Sequence, residues 1–354
     1  CHVHITATHV STGLHANMQT PSSLVTAMAL KNLEAMALRG FTSVRDAGGA
    51  DLGHKTAIDK GLFPGARLFT SGRAISQTGG HGDFRERIDS CDPCACGCAH
   101  LFNGIGRIAD GIPEVRRAAR DEIRLGADQL KVMASGGVAS AADPIHFLQY
   151  AQDELETLVD EARRAGTYVM AHAYTPAAIK RAIEAGVRTI EHGNLLDRAT
   201  ARLMAKKGAY LVPTLVTFEA LSKHGRAMGF PEESLVKLAN VVAVGTESLK
   251  IAKAAGVKMA IGSDLLGELQ RYQSDEFRIR GAVLSPGELV RSATLVGAEV
   301  LLRQGKLGVV APGALADLIA LDGNPLEDIA VLVGQGERIP LVMRDGRVLK
   351  NRLG

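Results

Sequence analysis

The chain has 354 residues, of which 46% are hydrophobic and 22% charged, which is enough for a large buried core and excludes a disordered segment. The net charge is only +3 and no long Lys/Arg run occurs, so the sequence does not indicate a nucleic-acid-binding protein. No apolar stretch approaches the roughly 18 to 20 residues that a membrane-spanning helix needs, which excludes an embedded membrane protein.

Eight short segments rich in apolar or β-branched residues recur along the chain, and an amphipathic stretch follows each of them. They cover residues 2–4, 41–45, 66–70, 129–134, 168–173, 189–192, 210–214 and 258–264. Strands that alternate with helices form parallel sheets, so the pattern predicts an α/β fold. Eight units predict a closed (β/α)8 TIM-like barrel over residues 1–304. An open doubly wound sheet is the alternative, but the phosphate-binding motifs expected after its first strand are absent.

One interruption of this alternation covers residues 77–106, which are rich in Gly, Cys, His and Asp. Long loops in compact domains are usually functional, so we expect a functional loop here. It contains four cysteines whose spacing does not match the paired zinc-ligand pattern: Cys91, Cys94, Cys96 and Cys98. We expect free thiols or a local disulfide, with a structural metal as the alternative.

A second interruption begins near residue 305, where short strand-like runs alternate with Gly/Pro turns and Asp345-Gly346 is a hairpin signal. Residues 305–354 are therefore expected to form the C-terminal part of a small, incomplete β-sandwich module. The chain begins with Cys1 and carries no signal-peptide pattern, so we expect that upstream strands are missing. The compartment is left open, with the cytoplasm preferred.

Six residues of metal-binding character lie at or near the ends of the predicted strands. They are His2, His4, Lys131, His172, His192 and Asp264. The strand ends of a barrel meet at one mouth, so these side chains are expected to share a cavity. Such a group is electrostatically unfavourable without cations, and imidazole together with carboxylate suits zinc. The sequence therefore predicts two divalent metal ions, with zinc as the expected metal.

Lys131 requires a separate explanation, because a charged lysine inside a barrel strand is costly. Burial lowers the pKa of a lysine and makes the neutral amine accessible. A neutral amine can add carbon dioxide to give a carbamate. Our hypothesis is that Lys131 is N-carboxylated and bridges two metals, with His2 and His4 on one side and His172 and His192 on the other.

Five motifs add to this set of ligands. They are SVRDAGG (43–49), GGHGD (79–83), KVMASGG (131–137), AHAYTP (171–176) and EHGN (191–194). Together they resemble the binuclear-metal branch of the amidohydrolase superfamily, which includes imidazolonepropionase-like proteins, Xaa-Pro dipeptidases (prolidases) and ochratoxin-type amidases. The resemblance covers nearly the whole chain. It departs from the superfamily in lacking strands before the first ligand pair.

The resemblance implies hydrolysis of an amide bond to a C-terminal amino acid, in Xaa-Pro dipeptides or N-acyl amino acids. The expected nucleophile is a hydroxide that bridges the metals. Asp264 would orient it, accept its proton and deliver that proton to the leaving nitrogen. His81 and Tyr174 are expected to stabilise the oxyanion or hold the substrate. His146 and Arg271 are further candidates for substrate contacts, Arg271 with the substrate carboxylate.

Other interpretations stay open at this point. The same residues could open a cyclic amide or an imidazolone, or cleave a carbamate; Lys131 argues against a one-metal deaminase. A catalytically dead, metal-stabilised scaffold subunit is the non-enzyme alternative. The expected partners are small molecules or dipeptides, and association into a homo-oligomer is left open. Arg45 and Asp46 are expected to form a buried pair that braces the second strand.

Overall fold

The computed structural model describes residues 1–9, 20–85, 104–140, 143–230 and 232–353. The strands, numbered in chain order, are β1 (Ser43–Arg45), β2 (Arg67–Phe69), β3 (Ala74–Ser76), β4 (Gly106–Ile108), β5 (Leu130–Met133), β6 (Val169–Ala173), β7 (Thr189–His192), β8 (Tyr210–Val212), β9 (Leu318–Ala320), β10 (Leu341–Arg344) and β11 (Arg347–Asn351). The α-helices are α1 (Ser22–Leu38), α2 (Leu52–Asp59), α3 (Gly111–Arg124), α4 (Gln152–Arg164), α5 (Pro176–Ala185), α6 (Arg198–Lys207), α7 (Leu215–His224), α8 (Glu232–Ala254), α9 (Asp275–Gly281), α10 (Pro286–Ala293) and α11 (Leu295–Val300). The four cysteines at 91–98 lie outside the described residues.

The parallel strands follow one another around a barrel-like sheet. β1 pairs with β2, and β5, β6, β7 and β8 pair in chain order, all in parallel. Val3 bridges to Asp46 beside β1, and Met259 bridges to β8. The backbone N–H of Ser263 donates to the carbonyl of His2, which joins the last predicted strand to the first. The predicted α/β, TIM-barrel-like fold is confirmed.

Two further strands, β3 and β4, enclose the predicted loop at 77–106. They pair in parallel with each other, and Ile75 of β3 pairs with Val132 of β5. The sequence pattern did not indicate them, because each has only three residues and the Gly-rich stretch between them dominates the local composition. They hold the two ends of this segment together beside the strand that carries Lys131.

The helix ends follow the residues that the sequence provides for them. Thr175 accepts a hydrogen bond from the backbone N–H of Ala178, and Pro176 occupies the first turn of α5. Gly186 ends the helix with a φ of 98°, a left-handed conformation that glycine adopts without steric cost. The cap at Thr175 fixes where the chain passes from β6 into α5, shortly after His172.

A three-stranded antiparallel sheet of β9, β10 and β11 forms the C-terminal part of the described chain. Asp345 and Gly346 turn β10 into β11 with φ angles of 53° and 76°, as the hairpin signal predicted. The domain boundary at residue 305 stays a prediction. None of the described helices is both long enough and apolar enough to cross a membrane.

Candidate metal centre

The six predicted ligands line one cavity at the carboxyl ends of the parallel strands. Lys131 lies in β5, His172 in β6, and His192 is the last residue of β7. All are buried except Asp264, whose side chain is 21% exposed. The cavity volume is about 60 Å³, which is enough for ions and a few water molecules.

His2, His4 and Asp264 form the tightest part of this cluster. Oδ1 of Asp264 lies 3.3 Å from Nε2 of both histidines. The Nδ1 atoms point away from the carboxylate: that of His4 donates to the Gly48 carbonyl at 3.0 Å, and that of His2 lies 2.7 Å from a carboxylate oxygen of Glu191. This arrangement directs the Nε2 atoms of both histidines at Asp264, where they could bind a metal ion once deprotonated, as in a metal site with oriented imidazoles.

The electrostatics of this cluster favour a cation. Burial opposes ionisation of Asp264, yet His2 and His4 hold the pKa of its carboxyl well below the usual range. Burial also disfavours a charged His4, but the hydrogen bond and charge of Asp264 raise the pKa of this imidazole. Ligand atoms of His2, His192 and Asp264 all lie within 4.8 Å of one another. These residues therefore fit a divalent ion.

His172 and His192 supply the second pair of imidazoles. Nε2 of His172 donates to the Gly136 carbonyl at 3.2 Å, and Nδ1 of His192 lies 2.8 Å from the hydroxyl of Thr214. Burial, together with the nearby amine of Lys131, holds the pKa of both rings well below the ordinary value, although the charge of Asp264 opposes the shift at His192. Both are therefore neutral, which is the form that binds a metal.

Lys131 is only 1% exposed and lies among these imidazoles. Burial lowers the pKa of its amine to about 8, although the charges of Glu191 and Asp264 oppose the shift. A substantial fraction of the amine is consequently neutral at mildly alkaline pH. This chemistry fits the carbamate that the sequence hypothesis requires.

The backbone is strained at two of the predicted ligands. His192 has a φ of 71° and Asp264 a φ of 52°, a left-handed conformation that residues with side chains rarely adopt. Such strain collects at functional sites, where the surrounding structure holds a side chain in a required direction.

Glu191 contacts the predicted ligand His2, and sequence reasoning missed this contact. Its fully buried carboxylate contacts His2 on one oxygen, and the guanidinium of Arg45 and the hydroxyl of Thr189 on the other, at 2.8 and 2.6 Å. The expected pairing of Arg45 with Asp46 is wrong, because Asp46 instead accepts backbone N–H groups. A carboxylate inside a buried strand needs a cationic partner. This requirement could have identified Glu191 from the sequence.

His81 and Tyr174 both line the cavity. The ring of His81 stacks on His172 with centroids 4.3 Å apart, and its Nδ1 donates to Asp143 at 3.0 Å. Tyr174 stacks on His192 at 5.2 Å, and burial raises the pKa of its hydroxyl well above the usual value. The tyrosine is therefore a hydrogen-bond donor at neutral pH.

His146 and Arg271 are not brought to this cavity. His146 is exposed and packs edge-on against Phe147, with ring centroids 5.0 Å apart. Arg271 is also exposed, and its guanidinium lies 4.9 Å from the ring centroid of Tyr272 and donates to that hydroxyl. Both were placed by their proximity in sequence to strand ends, but the connecting segments direct them elsewhere.

Comparisons with known proteins show the family to which the chain belongs. Residues 1–349 match the model of the Amidohydrolase family. The ochratoxinase of Aspergillus niger is 35% identical over 318 residues, which are 88% of this chain and 66% of that protein. The chain therefore spans slightly less than two thirds of the length of this curated relative.

Two solved structures are similar over nearly the whole chain. A prolidase complexed with N-methylphosphonate-L-proline is 55% identical with a TM-score of 0.96, covering 99% of this chain and 85% of that one. A Xaa-Pro dipeptidase with bound methionine in its active site is 32% identical with a TM-score of 0.86, covering 98% and 84%. The resemblance inferred from the ligand positions and motifs is confirmed, and the chain belongs to the Amidohydrolase family.

Proposed function

We propose that this protein is a metal-dependent hydrolase that cleaves the amide bond between an acyl group and a C-terminal amino acid. Xaa-Pro dipeptides and N-acyl amino acids are the proposed substrates. The observation that carries the proposal is the convergence of four imidazoles, a buried lysine and a carboxylate on one cavity. Similar proteins that are described as prolidase, Xaa-Pro dipeptidase and ochratoxinase support the substrate class.

The proposed cofactor is a pair of divalent ions, with zinc as the expected metal. His2 and His4 would hold one ion, His172 and His192 the other, and Lys131 would join them as an N-carboxylated ligand. When bound, such ions supply the Lewis acidity that activates water near neutral pH and polarises a carbonyl group. The paired orientation of the imidazoles and the low pKa of the lysine support this assignment.

Asp264 is the proposed proton carrier. Its carboxyl pKa lies well below the usual value, so it is ionised and able to accept a proton from the attacking water. It is also the ligand with a partly exposed side chain, so it can reach the substrate. The same oxygen can then pass the proton to the leaving nitrogen.

His81 and Tyr174 are the proposed donors to the developing oxyanion. Nδ1 of His81 is engaged by Asp143, so Nε2 is the nitrogen available to a substrate. The phenol of Tyr174 keeps its proton because its pKa is raised. Donors that are fixed before the reaction stabilise the transition state more than the ground state. His146 and Arg271 have no part in this proposal, because neither lines the cavity.

The apolar part of the cavity wall is proposed to determine which substrate side chains are preferred. It consists of Phe84, Ile105, Met133, Val138, Ala139, Phe218, Leu221 and Leu266. A pocket of this composition favours an apolar substrate side chain next to the scissile bond, because each methylene group that is buried there contributes about 0.8 kcal/mol to the free energy of binding. We therefore expect apolar residues to be preferred over charged ones.

The test is a hydrolysis screen of dipeptides and N-acyl amino acids with metal-loaded protein, combined with elemental analysis. Release of free amino acid at two metals per chain supports the proposal. If only cyclic amides, imidazolones or carbamates were cleaved, the result would contradict the proposed substrates and support the alternative hydrolase activity. Metal binding without turnover on any of these substrates would favour the scaffold interpretation.

A further inference from the structure

A lysine on α8 ties down the segment that follows β5. Nζ of Lys237 donates to the carbonyl oxygens of Gly137, Ser140 and Asp143 at 3.1, 2.6 and 2.7 Å. An ammonium group has three N–H donors, so these carbonyls occupy all of them. One side chain, about 100 residues away in sequence, thus holds this segment at three points.

The segment in turn holds His81. The Asp143 carboxylate accepts from Nδ1 of His81 at 3.0 Å and from the backbone N–H of Gly137 at 3.0 Å. The side-chain amide of Gln149 donates to the same carboxylate oxygen at 3.3 Å and accepts from the backbone N–H of His81 at 3.0 Å. Both the ring and the backbone of His81 are therefore fixed from this side.

The imidazole of His81 has close neighbours on both faces. One face stacks on His172 at 4.3 Å, with an angle of 22° between the rings. On the other side, a Cβ on Gly137 would lie 2.2 to 2.6 Å from three ring atoms, so the bare backbone itself packs against the ring. The position of Gly137, which Lys237 holds by its carbonyl, consequently decides the position of the ring.

We propose that Lys237 is a positioning residue that fixes Gly137, Ser140 and Asp143 and thereby holds the ring of His81 in place beside the predicted metal ligands. Its effect on turnover rests on the proposed function, because it acts through the donor assigned to His81. The contacts themselves do not depend on any substrate. A lysine that only braced the fold would instead stabilise the protein without any coupling to His81.

A double-mutant cycle with zinc-loaded, full-length protein separates these two roles. Lys237→Met is expected to lower kcat/KM by about 10- to 100-fold, because small misplacements of a donor are costly in rate, while the metal content stays unchanged. In a His81→Asn background the same substitution is expected to cost less than about twofold, since the donor that it positions is already gone. Full additivity of the two losses would overturn the proposal.

Lys250→Met is the matched control. Lys250 lies on the same helix but is exposed, and its partner is the exposed Glu247 at 3.3 Å. Its replacement is expected to leave kcat/KM unchanged. An equal loss in both variants would overturn a specific role for Lys237.

Hydrogen exchange tests the positioning without a substrate. The backbone N–H groups of Gly137 and His81 both donate to side chains in this network, so Lys237→Met should make them exchange faster. Unchanged exchange would overturn the proposal. Faster exchange in a protein that hydrolyses no amide would overturn the proposed function and leave the positioning supported.

A second variant is available if Lys237→Met does not fold. Asp143→Asn keeps the backbone carbonyl that Lys237 binds. Its side-chain amide, however, turns an N–H group towards Nδ1–H of His81, which donates to the carboxylate in the wild type. It should lower kcat/KM as Lys237→Met does. Combined with His81→Asn, it should add little to the loss in kcat/KM that His81→Asn causes alone. An unchanged kcat/KM in this variant would overturn the proposal.

Discussion

Glu191 and His2 form a buried carboxylate–imidazole pair in which Oε2 and Nδ1 are 2.7 Å apart. The other carboxylate oxygen lies 2.8 Å from the guanidinium of Arg45. Burial alone would raise the pKa of this carboxyl, but Arg45 and His2 hold it far below its usual value. Arg45, Glu191 and the candidate metal ligand His2 therefore form a hydrogen-bonded chain, which fixes the nitrogen of His2 that faces the cavity.

Replacement of Glu191 by Gln should damage both folding and metal binding. Arg45 would keep its buried charge without a partner, which costs about 3 to 5 kcal/mol in the free energy of unfolding. Loss of the carboxylate behind a ligand typically lowers metal affinity about 10- to 100-fold. Urea unfolding and metal titration measure the two effects. Glu247→Gln, in an exposed pair with Lys250, should change neither.

Asp264→Asn should abolish turnover while the metal content is retained. The amide cannot accept the proton of the attacking water, and loss of general acid–base catalysis costs about 10²- to 10⁴-fold in rate. Steady-state kinetics and elemental analysis on the same sample provide the measurement. Near-wild-type turnover in this variant would remove Asp264 from the role of proton carrier.

The residues in these two predictions differ in how well the sequence could predict their positions. Strand ends could be aligned from the pattern alone, so the ligands on β5, β6 and β7 were predicted to converge, and they do. Contacts between side chains on distant elements could not be predicted in this way. The pairing of Arg45 with Glu191, for example, depends on the register of the strands around the barrel. The same is true of Lys237, which reaches the segment after β5 from a helix more than 90 residues later.

Chelation should inactivate the enzyme, and zinc together with bicarbonate should restore it better than zinc alone. Burial holds the pKa of Lys131 at about 8, so the neutral amine that reacts with carbon dioxide is accessible near neutral pH. Reconstitution with ¹³C-bicarbonate should give a carbamate signal in NMR spectra that Lys131→Met lacks. A bare amine between two occupied metal sites would refute the carbamate, and full activity in metal-free protein would refute the metallohydrolase.

Stability should depend on pH through Glu276. Its fully buried carboxylate accepts the backbone N–H of Val216 at 2.7 Å, at the start of the helix that carries Phe218 and Leu221 into the cavity wall. Burial raises its pKa to about 7, with Arg280 opposing the shift only in part. The folded state therefore binds this proton more tightly than the unfolded state. The contribution of Glu276 to the free energy of unfolding thus falls as the pH rises from about 4.5 to about 7.

Glu276→Gln removes that dependence. Relative to the wild type, the variant should gain up to about 3 kcal/mol in the free energy of unfolding between pH 5 and pH 8. Urea unfolding of metal-loaded wild type and variant at both pH values measures the difference, and other titrating groups cancel in the comparison. A difference that does not change with pH would show that Glu276 titrates normally.

Gly137→Ala tests how closely the backbone must approach His81. The new methyl group would lie 2.2 to 2.6 Å from the imidazole atoms, so either the ring or the segment has to move. Because His172 stacks on the other face of the ring, the ring cannot simply move back, so we expect the contact between residue 137 and His81 to be displaced and kcat/KM to fall by about 100-fold with metals retained. Gly287→Ala on α10 is the matched control, since a Cβ there meets nothing within 4 Å. That variant should be fully active and slightly more stable, because alanine is the better helix former. Equal activity of the two variants would mean that the contact between Gly137 and His81 does not govern catalysis.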